Sequence, residues 1–308
     1  MAIESQPALT ASDDCLVVFR TQRSNVRGRL VRLGKTLDAV VTPHALPDVP
    51  SRYLSQAVAL AALCGSPLPE GGNLNLQTRS DGAVSILVAD YAAPGRLRGY
   101  ARYDADKIAK GDALGDGHLA LTLDPGPGEE RYQGILAFEN TPLAATAAAY
   151  FEQREMMPTF IRLAVADQFI RSQNAAPAQS RWHRRAGGLM MQSAATQGRD
   201  DDDEASENWR RVEMLAATVE DHELLDPELS MERLLLRLFH EEAVVVERVI
   251  PLSSFCRCSR AKVENVLLAF GAADLSDMRD ESGRIVVTCE FCTAQYSFSL
   301  GDLKQAQD

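Results

Sequence analysis

No apolar run in this 308-residue chain approaches the roughly 20 residues that cross a bilayer, so no helical membrane partner is expected. Residues 1–14 carry acids and lack a basic stretch followed by an apolar one, which leads to the expectation of a cytoplasmic protein without a secretory leader. Positive charge is scarce. Lys and Arg number 32 against 43 Asp and Glu, a net charge of −11 that repels phosphate backbones, so nucleic acid is not an expected partner. There is no G-x-x-x-x-G-K-[ST] loop to cradle nucleotide phosphates and no G-x-S-x-G elbow to activate a serine. His240-Glu241-Glu242 lacks the second histidine of a zincin helix, since Val244 stands there, and His44, His118, His183 and His222 are scattered. An enzyme is therefore not expected. Cysteine is also sparse, six residues in all, yet four of them are clustered.

The hydrophobic fraction, 45%, is ordinary for a globular chain and enough for a sizeable core. Alternating patterns predict strands over 15–20, 25–33, 74–79, 83–91 and 97–103, and the turn pairs Asp81-Gly82 and Pro94-Gly95 make the last three an antiparallel meander. A second pair, 118–123 and 131–138, brackets a Pro/Gly-rich loop, and strands are also predicted at 159–170 and 186–192. Glycines 187 and 188 in the last one would allow a bulge or close backbone approach. Helices are predicted at 49–63 and 142–155. Arg181 to Arg185 reads as a solvated turn or strand edge. Together these patterns give one α+β domain over residues 10–196.

The character of the chain then changes. Between residues 200 and 250 sixteen acids face five bases, a net of −11, while residues 251–308 hold eight acids and six bases. Helices are predicted at 204–222 and 228–242, the second with Leu234, Leu235, Leu238 and Phe239 on one face. An apolar stripe of this kind has to cover something, and the first domain is the nearest surface. Residues 197–250 are accordingly read as an acidic, metastable helical linker, and 251–308 as a small C-terminal domain.

Cys256-Arg257-Cys258 and Cys289-Glu290-Phe291-Cys292 form two close pairs thirty residues apart. Two short pairs can each offer two thiolates to a tetrahedral zinc ion. The C-x-C spacing can also close a tight, strained and easily reduced disulfide. Spacing alone leaves a permanent structural knuckle and a reversible redox switch both open. Cys15 and Cys64 stand in apolar settings and read as core.

Phe255 to Arg260, then Gly283 to Val287 leading into the second cysteine pair with Tyr296 and Phe298 behind it, closely resemble the C-terminal redox-switch domain of the Hsp33 heat-shock chaperones. Arg27-Gly28, Arg98 to Arg102, Tyr132 to Ile135, Tyr150 to Gln153 and Ala186 to Gln192 resemble that family's N-terminal domain, and Leu238 to Glu242 its linker. The likeness covers about residues 12–300. It departs at Ser66 to Glu70, where the family is more basic and aromatic, and at the dense acidic block 200–204.

The resemblance implies an α+β chaperone domain with an antiparallel sheet packed with helices, a helical linker and a zinc-binding switch domain. It implies one zinc ion per reduced chain on Cys256, Cys258, Cys289 and Cys292. It implies disulfides Cys256 with Cys258 and Cys289 with Cys292 on oxidation, with metal loss and unfolding of switch and linker. An ATP-independent holdase for unfolding client proteins follows, homodimeric when oxidised, with Leu234, Leu235, Leu238 and Phe239 in the apolar surface set free. The alternative is a zinc-dependent binding module of the same fold that does not switch.

Overall fold

The computed structural model describes residues 13–108, 114–170, 181–193 and 202–305. The first compact unit ends at Ser254 and the second begins at Phe255. In the first, β1 (Cys15–Thr21) and β2 (Val26–Leu33) form a hairpin, and α1 (Lys35–Val41) leads to the long helix α2 (Asp48–Gly65). The expected meander follows as β3 (Asn73–Ser80), β4 (Ile86–Ala92) and β5 (Arg96–Arg102), then the single turn α3 (Ala105–Ile108). β6 (Asp116–Asp124) and β7 (Tyr132–Glu139) make a second hairpin, and α4 (Leu143–Arg154) precedes β8 (Thr159–Ile170) and β9 (Arg181–Ser193). After α5 (Asp202–Ala217), α6 (Asp221–Leu225) and α7 (Met231–Phe239) come β10 (Val244–Pro251) and the short β11 (Ser253–Ser254).

These strands form two sheets. One is antiparallel in the order β10-β1-β2-β9-β8; the other, β11-β5-β4-β3-β6-β7, is antiparallel except where β11 joins β5. Helix α2 packs against strands of both. Its sequence suits that place, because Leu54, Val58, Leu60 and Leu63 are wholly buried and Ala57, Ala59, Ala61 and Ala62 keep the layers close. Each such leucine contributes roughly 1.5–3 kcal/mol. Pro50 falls in the first turn, where a missing N–H costs nothing.

The five-stranded sheet is buried on both faces. Leu16, Val31, Leu33, Ala186 and Met190 join the core around α2, whereas Cys15, Val17, Phe19, Leu30, Leu189 and Met191 face a second core shared with α5, α6 and α7. The two-residue period of β1, β2 and β9 thus sorts side chains between two separate cores.

Three expectations are corrected by the structure. The helix predicted over 204–222 stops at Ala217, and α6 starts afresh behind a capping box in which Glu220 and Glu223 satisfy each other's backbone. The helix predicted over 228–242 begins at Met231, where the Ser230 side chain accepts from Arg233 N, and gives way to a 3-10 turn over His240–Glu242. The helical linker read as running to residue 250 in fact ends in β10, whose Val244, Val245, Val246 and Val249 suit a strand and which pairs along all of β1. The expected boundary at 196–197 and residues 200 and 201 of the acidic block lie outside the described residues. Of the two readings of Arg181 to Arg185 the strand edge holds and the turn does not: the segment extends β9 along β8 past the end of β2, with Trp182 exposed but Arg185 buried.

In the second unit α8 (Arg260–Leu267) and α9 (Ala272–Asp277) precede the hairpin β12 (Ile285–Thr288) and β13 (Gln295–Phe298), then α10 (Leu300–Gln305). Among its described residues the core holds five buried hydrophobic side chains, Leu267, Leu275, Ile285, Phe298 and Leu303. A unit this small usually needs a staple besides its core.

Candidate functional site

Four clustered cysteines could supply such a staple by holding a metal ion. Cys256 and Cys258 lie in the extended segment before α8, and Cys289 and Cys292 in the turn joining β12 to β13. Backbone bonds close that turn, Cys289 N to Ala294 O at 2.9 Å and Thr293 N to Cys289 O at 2.9 Å, so both thiols of the C-x-x-C pair are presented from one bend. The Ser259 side chain caps α8 by accepting from Lys262 N at 3.3 Å, and Lys262 Nζ returns to Arg257 O at 2.8 Å, fixing the first pair. Arg260 stacks 4.2 Å over the ring of Phe298 and so ties α8 to β13.

All four sulfurs lie within 4.8 Å of one another, and among the described residues this is the only group of three or more side chains gathered as metal ligands. Cys256 Sγ is 3.7 Å from Cys289 Sγ, and Cys258 Sγ is 3.4 Å from Cys292 Sγ. Four thiolates about 2.3 Å from one zinc ion would stand about 3.8 Å apart, so the donor set fits a tetrahedral cation of that kind. Burial, then hydrogen bonds from the neighbouring thiols, pushes the Cys292 thiol up to about 12. A thiol in the position of Cys292 resists becoming an anion unless a cation joins it. Tyr296 Oη donates to Cys258 Sγ at 3.1 Å, and that bond pushes the phenol up to about 12.

Among the described residues, Cys15 and Cys64 join no group of metal-ligating side chains; both lie in the hydrophobic cores. Burial pushes the Cys15 thiol up to about 11 and the Cys64 thiol up to about 12, which makes both inert as structural thiols are.

The apolar stripe of α7 lies elsewhere, in the first unit. Leu234, Leu235, Leu238 and Phe239 are at most 2% exposed and cover the outer face of the five-stranded sheet with Val212, Leu224 and Met231. Beside this apolar contact runs a polar one that sequence reasoning missed. Arg32, only 1% exposed, donates from Nε to Leu224 O at 3.0 Å, from Nη1 to Leu229 O at 2.7 Å and from Nη2 to Glu223 O at 2.9 Å. Arg185 Nε donates to Leu225 O at 2.8 Å while its other nitrogens hold the Asp13 carboxylate. Gly187, directly across from Arg32 in the sheet register, leaves a gap in which the Leu224 carbonyl sits; a Cβ there would lie 2.5 Å from that oxygen. The available signal was a charged residue at an inward position of the apolar strand Val26 to Leu33, opposite a glycine.

Two largely antiparallel sheets around one helix, followed by a small four-cysteine unit, define an α+β protein with a C-terminal thiol cluster able to hold a metal ion. The family model described as Hsp33 protein matches residues 14–299. The 33 kDa chaperonin of Caulobacter vibrioides is 40% identical over 294 residues, 92% of this chain and 94% of that protein. That of Pseudomonas paraeruginosa is 34% identical over 292 residues, 93% of this chain and 92% of its own. A solved structure of the 33 kDa chaperonin from Thermotoga maritima matches with a TM-score of 0.75 at 22% identity, covering 95% of this chain and 97% of that one, and speaks for the fold alone. The chain belongs to the Hsp33 family, a family of chaperones. Among the described residues, no helix is long and apolar enough to cross a membrane.

Proposed function

We propose that the chain is a redox-regulated, ATP-independent holdase of the cytoplasm, closed and inactive when reduced. The observation that carries the reading is the gathering of all four C-terminal sulfurs within 4.8 Å, in a unit whose own core is small. Zinc, when bound by Cys256, Cys258, Cys289 and Cys292, would supply a cross-link that the small core cannot replace, roughly 10–16 kcal/mol in small sites of this kind.

The switch is a peroxide reaction of these thiolates. One thiolate of a pair takes an oxygen from the peroxide and, with one proton, yields a sulfenic acid and water. Its neighbour attacks that sulfur; with a second proton another water leaves and a disulfide remains, each pair giving up two electrons. The family resemblance assigns the pairs as Cys256 with Cys258 and Cys289 with Cys292. Tether length supports this, because one or two intervening residues keep those partners adjacent once the cluster loosens, whereas the cross-pair neighbours depend on the folded unit. Disulfide sulfurs no longer offer thiolate charge, so the donor set is lost and the unit with it. Residues 202–243 then leave the sheet, helped by their own negative charge, and Leu234, Leu235, Leu238 and Phe239 with the face beneath become an apolar patch for unfolding clients. We assign the oxidised form as a homodimer.

The test combines metal content, thiol counting and light scattering of an unfolding reference protein, before and after peroxide at mildly raised temperature. Loss of one zinc ion and four thiols per chain should accompany the onset of suppression. Full suppression by the reduced, zinc-loaded chain would favour a constitutive binding module instead.

A further inference from the structure

We infer that Arg32, Arg185 and Gly187 form a receptor for polypeptide main chain, filled in the closed state by residues 223–229 and offered in the open state to the backbone carbonyls of an unfolded client. The inference rests on the proposed opening and names what the uncovered face recognises.

Its basis is the way the present occupant is held. Four hydrogen bonds from two guanidiniums end on main-chain carbonyls, those of Glu223, Leu224, Leu225 and Leu229. A glycine opposite Arg32 removes the side chain that would otherwise keep a second backbone off the sheet, and the Leu224 carbonyl fills that space. Contacts of this type read the peptide group, which every sequence carries. Around them Val17, Phe19, Leu30, Leu189 and Met191 offer apolar surface to whatever side chains flank the bound backbone. Folded proteins use their carbonyls in their own helices and sheets, whereas an unfolding chain presents them free. The face therefore selects by folding state and tolerates any sequence. Arginine suits this role because its planar fork spans several acceptors and because it is weakly hydrated for a cation. Asp13 keeps a carboxylate on Arg185 when the linker carbonyl departs.

The test compares oxidised wild type with Arg32→Met and Arg32→Lys. The readouts are the chain concentration giving half-suppression of an unfolding reference protein and, in the reduced form, hydrogen exchange over 221–230. Both variants should exchange faster when reduced and, when oxidised, require about tenfold more protein, since losing charged hydrogen bonds costs at least that factor. A residue that merely pins the linker would give faster exchange with undiminished holding, and that result overturns the inference. So does wild-type holding by Arg32→Lys, which would reduce the contact to charge. If oxidised wild type itself fails to hold, the switch reading falls instead.

A second measurement needs no variant and decides the matter should these fail to fold. A peptide of residues 221–230 competes with a fluorescent unfolded client for the oxidised wild-type chain, alongside a copy whose peptide bonds after Glu223, Leu224 and Leu229 are esters with weaker carbonyl acceptors. The ester copy should compete about tenfold less well; equal competition overturns the inference.

Discussion

The ring of Phe239, the last residue of α7, stands 5.9 Å from that of Phe19 on β1 at an angle of 34°. Phe19 in turn covers Gly28 of β2, where a Cβ would lie 2.1 Å from the ring. A glycine in one strand, an aromatic in the next and an aromatic in the linker thus form one stack, and the linker's grip on the sheet is in part the burial of that last ring. Phe239→Ala should remove about 3–5 kcal/mol from the contact. In the reduced protein, amide exchange over 231–239 should then accelerate at least a hundredfold, with partial holding before any oxidant is added. Exchange as slow as in the wild type would show that α7 is retained by other means.

Gly187 and Gly188 are adjacent in β9 but serve opposite faces. A Cβ on Gly187 meets the Leu224 backbone, 2.5 Å from the oxygen and 3.0 Å from the carbonyl carbon; on Gly188 its nearest neighbours are the tips of Leu163 and Leu63 at 2.9 and 3.0 Å. Side-chain tips yield more readily than backbone. Gly187→Ala should therefore speed exchange over 221–230 and spare the α2 core, while Gly188→Ala should cost about 1–3 kcal/mol of global stability without releasing the linker first. Equal effects of the two substitutions would argue that the glycines serve only strand geometry.

How much of this was legible in the sequence depended on how local each cause is. The cysteine pairs were readable because ligand spacing is a property of a few neighbouring residues, and the antiparallel strands because turn pairs such as Asp81-Gly82 act locally. The apolar face of α7 could be seen from its period, but the period does not say which surface it covers. β10 was missed because the acidic tally of residues 200–250 favoured one helical segment, although Val244 to Val246 are strand formers. Arg32 left only a partial signal, a charge on an apolar strand, because its role is set by Leu224, 192 positions away, whose carbonyl reaches it only after both have folded.

The two cysteines outside the C-terminal cluster report on opening. Cys15 Sγ lies 3.7 Å from the Met231 sulfur at the start of α7, whereas Cys64 is held in the α2 core. Both should be silent toward a thiol reagent in the reduced, metal-loaded protein, as burial holds them protonated. Chelation should expose four thiols. After peroxide the C-terminal four should be consumed and Cys15 alone should become reactive, because its cover has left while the α2 core has not. Unchanged silence of Cys15 after zinc loss would mean that the C-terminal unit unfolds without releasing the linker.

Acid should loosen the linker through Glu242. This residue is 2% exposed, and although burial opposes its charge, the hydrogen bonds from Arg211 and Ser24 prevail and hold it below the usual glutamate range. Arg211 Nε of α5 donates to it at 2.7 Å, so the carboxylate joins the start of the linker to its end. A depressed value in the closed state means that stability is fully present above the open-state value near 4.5 and is lost as pH falls through the lower, closed-state one. The Glu242 contribution to closed packing should thus be constant between pH 5 and 7 and be lost only below about 4.5. The comparison that isolates this group is Glu242→Gln, which should lower linker stability at neutral pH and flatten its acid dependence. Exchange protection over 202–239 that falls with acid equally in wild type and variant would assign the effect to other carboxylates.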